Sequence, residues 1–320
     1  MILVTGGTGF LGSQLLLHLV KNKKKPIAIY RYENNVKKVK KYFCSIESEG
    51  NTFFKKIIWK KCDITIISEL DEIFIGISKI YHCAALVSFS KNYINKLNLI
   101  NIQGTSNIVN LSIKHKINKI GFVSSIAALG DEMYNDLINE DSLWDSSINH
   151  SPYAYSKYMA ELEIWRGIEE GVPSIIINPG IILGEGIRQN PYKIICNYLN
   201  NKLVFYPEGL ASIISSKDVI NVFYKLMESN ISNKKYILVS ENLTYKKLLK
   251  AIAFKNDKRP IFIRLPKFFM FIILFFEYFI SKLFFKKKLL SFSLINSLYK
   301  SKKIDGSKIE KEMGYRYSKF

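Results

Sequence analysis

A glycine-rich turn joins an apolar run to an amphipathic run at the start of this 320-residue chain. Ile2–Thr5 predicts a buried strand and Phe10–Lys21 a helix, with Gly6, Gly9 and Gly12 at and just beyond the turn. The first glycine permits a tight turn, the second lets the backbone approach a pyrophosphate, and the third lets the helix pack closely on its strand. The helix N-terminus also presents free N–H groups and a positive dipole end. The turn therefore predicts a dinucleotide site rather than a purely structural connection.

Short apolar runs alternate with longer helical patterns, which predicts βαβ units and a parallel sheet covered on both faces. The expected strands are Ile2–Thr5, Ile27–Arg31, Lys56–Trp59, Ile80–Cys83, Ile120–Ser124, Ser174–Asn178 and Tyr236–Val239. The clearest helical patterns are Phe10–Lys21, Ile94–Lys114, Tyr153–Glu170 and Tyr245–Phe254. We expect an α/β fold with a doubly wound parallel sheet of the Rossmann type. A nucleotide-binding domain should occupy residues 1–175, and a smaller, partly helical substrate-binding region residues 176–320, interleaved with the last strands.

The formal net charge of +20 at pH 7 would by itself suit a nucleic-acid or lipid partner. Lysines, however, far outnumber arginines, and Ile, Asn, Phe and Tyr are also abundant. These residue types share AT-rich codons, and the lysines are dispersed along the chain. Genome composition therefore explains the charge, and we expect no nucleic-acid partner.

The four cysteines, Cys44, Cys62, Cys83 and Cys196, lack the paired CxxC spacing of metal sites. A chain of this length also needs no disulfide bonds to support its core. We expect reduced thiols and no bound metal. Because the first expected strand starts at the beginning of the sequence, we also expect no cleaved leader and a cytoplasmic location.

Tyr153 and Lys157 open a predicted helix and are four residues apart, so they share one helix face. A phenol with a reference pKa of about 10 is a poor base at neutral pH, but a nearby ammonium favours the phenolate. Proton exchange with an alcohol or carbonyl then becomes feasible. Taken alone, such a pair is typical of a helix surface. Downstream of a dinucleotide turn, it indicates reversible hydride transfer.

Seven short motifs follow one another along the chain. They are TGGTGFLG at 5–12, CDIT at 62–65, HCAA at 82–85, NIQGT at 101–105, VSS at 123–125, the Tyr153/Lys157 pair and NPG at 178–180. In this order they resemble the extended short-chain dehydrogenase/reductase superfamily, and specifically its NAD-dependent epimerase/dehydratase family. The pattern is closest to dihydroflavonol 4-reductase-like reductases. The resemblance covers nearly the whole chain and implies an oxidoreductase with a nicotinamide cofactor.

The resemblance also implies a catalytic set. Ser125 would position the reacting oxygen, Tyr153 would transfer the proton, and Lys157 would lower the pKa of the phenol. Ser124 is the rival of Ser125, because either hydroxyl stands at the carboxyl end of a strand, where open α/β sheets place their ligands. Asn101 would support the helix beside the active site, or would simply be a satisfied helix-interior asparagine.

The same resemblance implies the residues that hold the cofactor. Asp63 would bind the adenine amino group, Ala84 and Ala85 would line the pyrophosphate and ribose, and Lys157 would hydrogen-bond the nicotinamide ribose. The full set is Gly6, Gly9, Phe10, Leu11, Gly12, Arg31, Asp63, Ile64, Ala84, Ala85, Asn101, Ser124, Tyr153, Lys157, Asn178 and Pro179.

The end of the second expected strand indicates which cofactor is bound. NAD-specific members usually carry an acidic residue there for the ribose 2′-hydroxyl, whereas an arginine accommodates a 2′-phosphate. Here Tyr30 and Arg31 occupy these positions, and a guanidinium matches a phosphate well. Glu33 is the counter-evidence, because a shifted turn could bring its carboxylate to the ribose. The sequence favours NADP(H) over NAD(H).

The expected substrate region is apolar. Leu86, Val87 and Phe89 follow the fourth expected strand, and Ile181–Leu183 follows the NPG motif. These residues suggest a hydrophobic carbonyl or alcohol as the substrate. The alternative is a sugar-nucleotide epimerase or dehydratase, in which the same catalytic residues oxidise the sugar transiently. A second alternative is a non-catalytic nucleotide-binding assembly protein, although such proteins usually lose the Tyr/Lys pair.

Residues 268–285 form an apolar, aromatic-rich run followed by three lysines at 286–288. The run approaches the roughly 20 residues of a spanning helix, but Glu277 and Lys282 make a full crossing expensive. We expect an aromatic helix beside the substrate pocket. Either it packs on the protein, or its exposed edge contacts the inner face of a membrane peripherally. A homodimer through paired helices is a further expectation.

Overall fold

The computed structural model describes residues 1–130, 137–187, 190–274 and 292–319. Its strands are β1 (Ile2–Thr5), β2 (Pro26–Tyr30), β3 (Ile58–Lys61), β4 (Lys79–His82), β5 (Lys119–Val123), β6 (Leu137–Ile138), β7 (Ser174–Pro179), β8 (Ile181–Leu183), β9 (Leu203–Tyr206), β10 (Leu210–Ser215), β11 (Lys234–Leu238), β12 (Glu241–Thr244), β13 (Ile261–Arg264) and β14 (Lys303–Ile304). Its α-helices are α1 (Phe10–Lys21), α2 (Glu33–Ile46), α3 (Gly50–Lys55), α4 (Ile67–Phe74), α5 (Ile94–Leu97), α6 (Gly104–Lys114), α7 (Pro152–Glu169), α8 (Pro191–Tyr198), α9 (Ser216–Glu228), α10 (Tyr245–Lys255), α11 (267–274), α12 (Phe292–Leu298) and α13 (Lys308–Met313).

Seven parallel strands form the main sheet, in the order β11-β7-β5-β4-β1-β2-β3. They are the seven expected from the sequence, which confirms the predicted fold class. The third strand is Ile58–Lys61 rather than Lys56–Trp59, because pairing with β2 places Ile58 opposite Ile27. This strand lies at the sheet edge with Ile58 exposed, so its apolar pattern defined its ends poorly.

Side chains that alternate along the strands pack into two separate apolar cores, one on each face of the sheet. Val4 and Tyr81 pack on one face with residues of α1 and α9. Leu3 and Ile80 pack on the other with residues of α4, α6 and α7. Because both faces are covered, the strands inside the sheet are buried and nearly continuous in apolar residues, unlike the edge strand β3. The strand order reverses at β1, between β2 and β4, and ligands of such sheets bind in the crevice beyond the carboxyl ends of the strands there.

The long helix expected over Ile94–Lys114 is interrupted. The structure has α5, then a π-helical segment over Asn98–Gln103, then α6. A π-helical turn widens the helix by one residue and is frequent at functional sites. Here it carries Asn101, whose contacts are described below.

The C-terminal part adds small sheets beside the carboxyl edge of the main one. β8, β10 and β12 form a three-stranded sheet over an apolar cluster shared with α8 and α10, while β9 pairs with β13 and β6 with β14. β11 returns to the main sheet. No described helix is both long and apolar enough to span a bilayer. Of the run expected to form an aromatic helix, 268–274 lies in α11, and residues 275–285 lie outside the described residues.

Candidate active site

The β1–α1 turn has the geometry that its glycines predict. Gly6 has a φ of 68°, in the left-handed region, and a Cβ there would lie 2.6 Å from the Ala84 nitrogen. The Gly9 N–H donates to the Gly6 carbonyl at 2.8 Å, closing the turn. A Cβ on Gly12 would collide with the Gly6 carbonyl oxygen. Glycine is therefore required at Gly6 for the turn to lie against the chain that follows β4, and at Gly12 for α1 to pack on the turn.

A cleft of about 250 Å³ opens between this turn and the carboxyl ends of β2, β3 and β4. Six of the expected cofactor residues line it: Gly6, Gly9, Arg31, Ile64, Ala84 and Ala85. Gly9 caps α1 without a side-chain hydrogen bond, so the first N–H groups of the helix are free to bind an anion. The glycine cradle, the free helix terminus and the position at the strand-order reversal all fit a dinucleotide.

Other residues of the cleft were missed from the sequence. They are Thr8, Ile29, Tyr32, Asn35, Cys62, Cys83 and Ile100; Tyr30, considered above only for the choice of cofactor, also lines the cleft. Ile29 and Tyr30 end β2, and Cys62 and Cys83 directly follow β3 and β4, so for these four the strand end was the available signal. Ile100 enters from the π-helical segment, which the sequence did not predict. The remaining expected cofactor residues do not line this cleft: Phe10, Leu11, Gly12, Asp63, Asn101, Ser124, Tyr153, Lys157, Asn178 and Pro179.

Arg31 forms the polar wall of the cleft at the end of β2. Its Nη1 lies 3.7 Å from Asp63 Oδ2, and its guanidinium lies 5.8 Å from the centroid of the Tyr32 ring. The other carboxylate oxygen of Asp63 accepts hydrogen bonds from the backbone N–H and the hydroxyl of Thr65, at 3.0 and 2.9 Å. Glu33 begins α2 and does not line the cleft.

Tyr153 lies at the start of α7, where Ser151 caps the helix by accepting the Ala154 N–H at 3.1 Å. The side chain of Tyr153 is buried and its hydroxyl is hydrogen-bonded to Ser125. Burial raises the pKa of Tyr153 to about 12, and the hydrogen bond with Ser125 opposes this rise. The structure thus brings Ser125 to the phenol, whereas the hydroxyl of Ser124 donates to Glu161 at 2.5 Å.

Lys157 lies one helical turn further along α7 and is almost completely buried. Its Nζ donates to the Val123 carbonyl at 2.9 Å and lies 4.1 Å from the centroid of the Phe122 ring. Burial lowers the pKa of Lys157 to about 7, and the charge of Glu161 opposes this fall. We expected Lys157 to lower the pKa of Tyr153. In this arrangement burial dominates both groups, and Ser125 supplies the interaction that lowers the phenol pKa.

Asn101 fastens the loop after β4 to the catalytic helix. Its Oδ1 accepts the Leu86 N–H at 2.7 Å, and its Nδ2 donates to the Leu86 carbonyl at 3.0 Å and to the Ser156 hydroxyl at 2.9 Å. Asn101 is therefore fully engaged with protein groups. It fixes the position of the loop that carries the apolar residues of the expected substrate side.

That loop places an aromatic side chain against the catalytic tyrosine. The rings of Phe89 and Tyr153 meet edge to face, with centroids 5.7 Å apart. Val87 is 61% exposed and Phe89 38% exposed. The loop therefore carries partly exposed apolar side chains, one of which packs on the Tyr153 ring.

Comparison with known proteins places this chain in a family. The model of the NAD dependent epimerase/dehydratase family matches residues 2–238, and the chain belongs to that family. The chain is 26% identical to the "Putative dihydroflavonol 4-reductase" of Synechocystis sp. over 254 residues, covering 77% of this chain and 69% of the relative. It is 24% identical to tetraketide alpha-pyrone reductase 2 of Arabidopsis thaliana over 275 residues, covering 81% and 83%.

Solved structures of the same fold include the Bordetella bronchiseptica enzyme WbmG in complex with NAD and UDP. It superimposes with a TM-score of 0.75 at 15% identity, over 100% of this chain and 90% of that chain. The family, the fold and the reductase-named relatives establish this protein as an NAD(P)-dependent oxidoreductase of the extended short-chain dehydrogenase/reductase type. The epimerase alternative is not favoured.

Proposed function

We propose that this enzyme transfers hydride between NADP(H) and the carbonyl or alcohol carbon of an apolar small molecule. The observation that carries the proposal is the buried Tyr153 hydroxyl, hydrogen-bonded to Ser125 and flanked by Phe89. A protonated phenol can donate a proton to a carbonyl oxygen, and the apolar wall suits a substrate without charge. Cys83 connects this group to the cofactor cleft, because it lines the cleft and directly follows His82 at the end of β4.

Each catalytic residue has a distinct role in the proposal. Ser125 hydrogen-bonds the reacting oxygen and Tyr153 exchanges its proton with it. Lys157 supplies a positive charge one turn along α7 and a donor for the ribose nearest the reacting carbon. When bound, the nicotinamide supplies or accepts the hydride. The amide oxygen of Asn178 is buried without a hydrogen-bond partner among the described residues, which leaves an acceptor for a ligand at the end of β7.

Arg31 supports the preference for NADP(H). It lines the cleft at the end of β2, while Glu33 does not. Its side chain is about half exposed, and its partner Asp63 stands 3.7 Å away, a loose ion pair. A 2′-phosphate would offer the guanidinium two oxygens in a geometry that it matches well. The proposal therefore assigns Arg31 to the phosphate that distinguishes NADPH from NADH.

The chain is proposed to consist of a cofactor-binding region followed by a substrate-binding region. Residues 1–175 would bind the cofactor, and residues 176–320 would supply the substrate side while returning β11 to the main sheet. Exposed apolar side chains on α5, the π-helical segment and α7, namely Ile94, Leu99 and Leu162, support a homodimer through these helices.

Peripheral membrane contact is supported by the surface of α11. The described part of the aromatic run exposes Phe268, Phe269 and Ile273, with exposed fractions of 70%, 53% and 44%. Apolar side chains on one helix can enter the boundary between headgroups and acyl chains. A helix packed wholly on the protein would instead bury them.

The test is a screen of the purified protein against hydrophobic ketones, aldehydes and alcohols, and against UDP-sugars, following NADPH and NADH absorbance. We expect turnover of an apolar carbonyl compound with freely exchanging NADPH. Epimerisation of a UDP-sugar by protein that retains its cofactor through purification would replace this proposal by the sugar-nucleotide alternative. Binding of cofactor without turnover of any compound would favour the non-catalytic alternative.

A further inference from the structure

A buried carboxylate stands behind the catalytic pair and was not expected from the sequence. Glu161 follows Lys157 by four residues and Tyr153 by eight, so all three lie on one face of α7. The side chain of Glu161 is 3% exposed. A carboxylate at such a site is costly to bury unless it is paired and hydrogen-bonded. The one sequence signal is its spacing, which continues the Tyr153 and Lys157 stripe.

Two strands of the main sheet supply the hydrogen bonds that Glu161 needs. Its Oε1 accepts the Ser124 hydroxyl from the end of β5 and the Asn178 amide from the end of β7, each at 2.5 Å. The same amide of Asn178 donates to the Ser125 carbonyl at 2.9 Å. Donors aimed at one oxygen stabilise the ionised carboxylate. The network therefore ties the Ser125 backbone to α7 through Glu161.

We propose that Glu161 is a positioning residue of this active site, whose buried negative charge holds Lys157 in its ammonium form. This inference rests on the proposed function of Lys157. Glu161 and Lys157 are one helical turn apart on α7 and both are buried, so little water screens the attraction between their charges. The hydrogen bond of the Lys157 Nζ goes to a neutral group, the backbone carbonyl of Val123.

The charges around the pair come from each element packed on it. Lys235, next to β7 on β11, acts on Glu161 with the same sign as Lys157. Cys83 follows β4, and burial raises the pKa of its thiol to about 12, so it stays neutral. His82 is buried, and burial and the charge of Lys157 lower its pKa to about 3, so it stays neutral. Burial raises the pKa of Glu161, and its hydrogen bonds together with the two lysines oppose this rise.

The inference is tested by removing the charge of Glu161 and measuring the pKa of Lys157. The carboxylate of Glu161 raises the pKa of Lys157, so removing this charge should release the Lys157 proton at lower pH. Glu161→Gln keeps the size of the side chain and an oxygen for Ser124 and Asn178, so the fold should survive. Glu169→Gln is the matched control, because Glu169 lies on the same helix but is exposed.

The titration is read by NMR on protein with lysine labelled at Cε, with the Lys157 signal assigned by its loss in Lys157→Met. We expect Glu161→Gln to move the titration of Lys157 to lower pH by about 1 unit, and Glu169→Gln to leave it in place. If the enzyme turns over a carbonyl compound, the alkaline limb of kcat/KM should move by the same amount.

An unmoved or higher Lys157 titration in Glu161→Gln overturns the inference. So does an equal loss of turnover at every pH without a change in the titration, because that pattern belongs to a purely structural role. The NMR readout needs no substrate. If no carbonyl compound is reduced by the unmodified enzyme, the proposed function fails while the titration still decides the role of Glu161.

Discussion

Replacing Tyr153 by phenylalanine isolates the proton-transfer step. The substitution removes one buried hydroxyl, which is hydrogen-bonded to Ser125, and keeps the ring that packs against Phe89. Loss of one hydrogen bond should change the free energy of unfolding by only ~1 kcal/mol. General acid catalysis contributes about 10² to 10⁴ in rate. At 1.36 kcal/mol per tenfold change, this corresponds to about 2.7–5.4 kcal/mol of transition-state stabilisation.

The contrast between these magnitudes makes the assay decisive. Turnover is followed by NADPH absorbance with the best carbonyl compound, NADPH affinity by its fluorescence, and stability by denaturant unfolding. Tyr153→Phe should lose at least ~10²-fold in kcat with nearly unchanged NADPH affinity and stability. The control is Tyr155→Phe, because Tyr155 is on the same helix and 45% exposed. Normal turnover in Tyr153→Phe would refute the assignment of Tyr153 as proton donor.

Three further changes test the cofactor cleft and the aromatic helix. Arg31→Ala should weaken NADPH binding by about 1.5–3 kcal/mol and leave NADH binding nearly unchanged. The control is replacement of the exposed Lys37 by alanine. Equal losses of affinity for both cofactors would contradict the 2′-phosphate assignment. Gly12→Ala should destabilise the fold by about 1–3 kcal/mol, measured by denaturant unfolding, because the new Cβ collides with the Gly6 carbonyl. It should also impair binding of both cofactors. Unchanged stability and binding would show that the turn can move. If residues 268–288 contact the membrane surface through their lysines, a high-salt wash of the membrane fraction should release the protein. Release by detergent alone would contradict peripheral contact. Absence of the protein from the membrane fraction would support packing of the helix on the protein.

The strands of the main sheet and the position of the glycine-rich turn could be predicted from the amino-acid sequence alone. Both depend on local rules: apolar periodicity defines a strand, and glycine is needed where φ is positive or where a Cβ would strike the backbone. Gly6 and Gly12 meet these requirements in the structure. Local rules failed where tertiary pairing sets the limits, as at the exposed edge strand β3 and at the π-helical turn that interrupts the helix expected over Ile94–Lys114.

Which polar groups meet, and whether each carries a charge, depends on how the helices and strands pack together. Ser124 and Glu161 are 37 residues apart, and Asn101 and Leu86 are 15 apart, yet each pair is hydrogen-bonded. A pair four residues apart on a helix predicted that Lys157 lowers the phenol pKa. The packed structure raises the pKa of Tyr153 and lowers that of Lys157, because burial penalises both charged forms. Burial depends on every element that covers a side chain, so helical spacing alone cannot supply it.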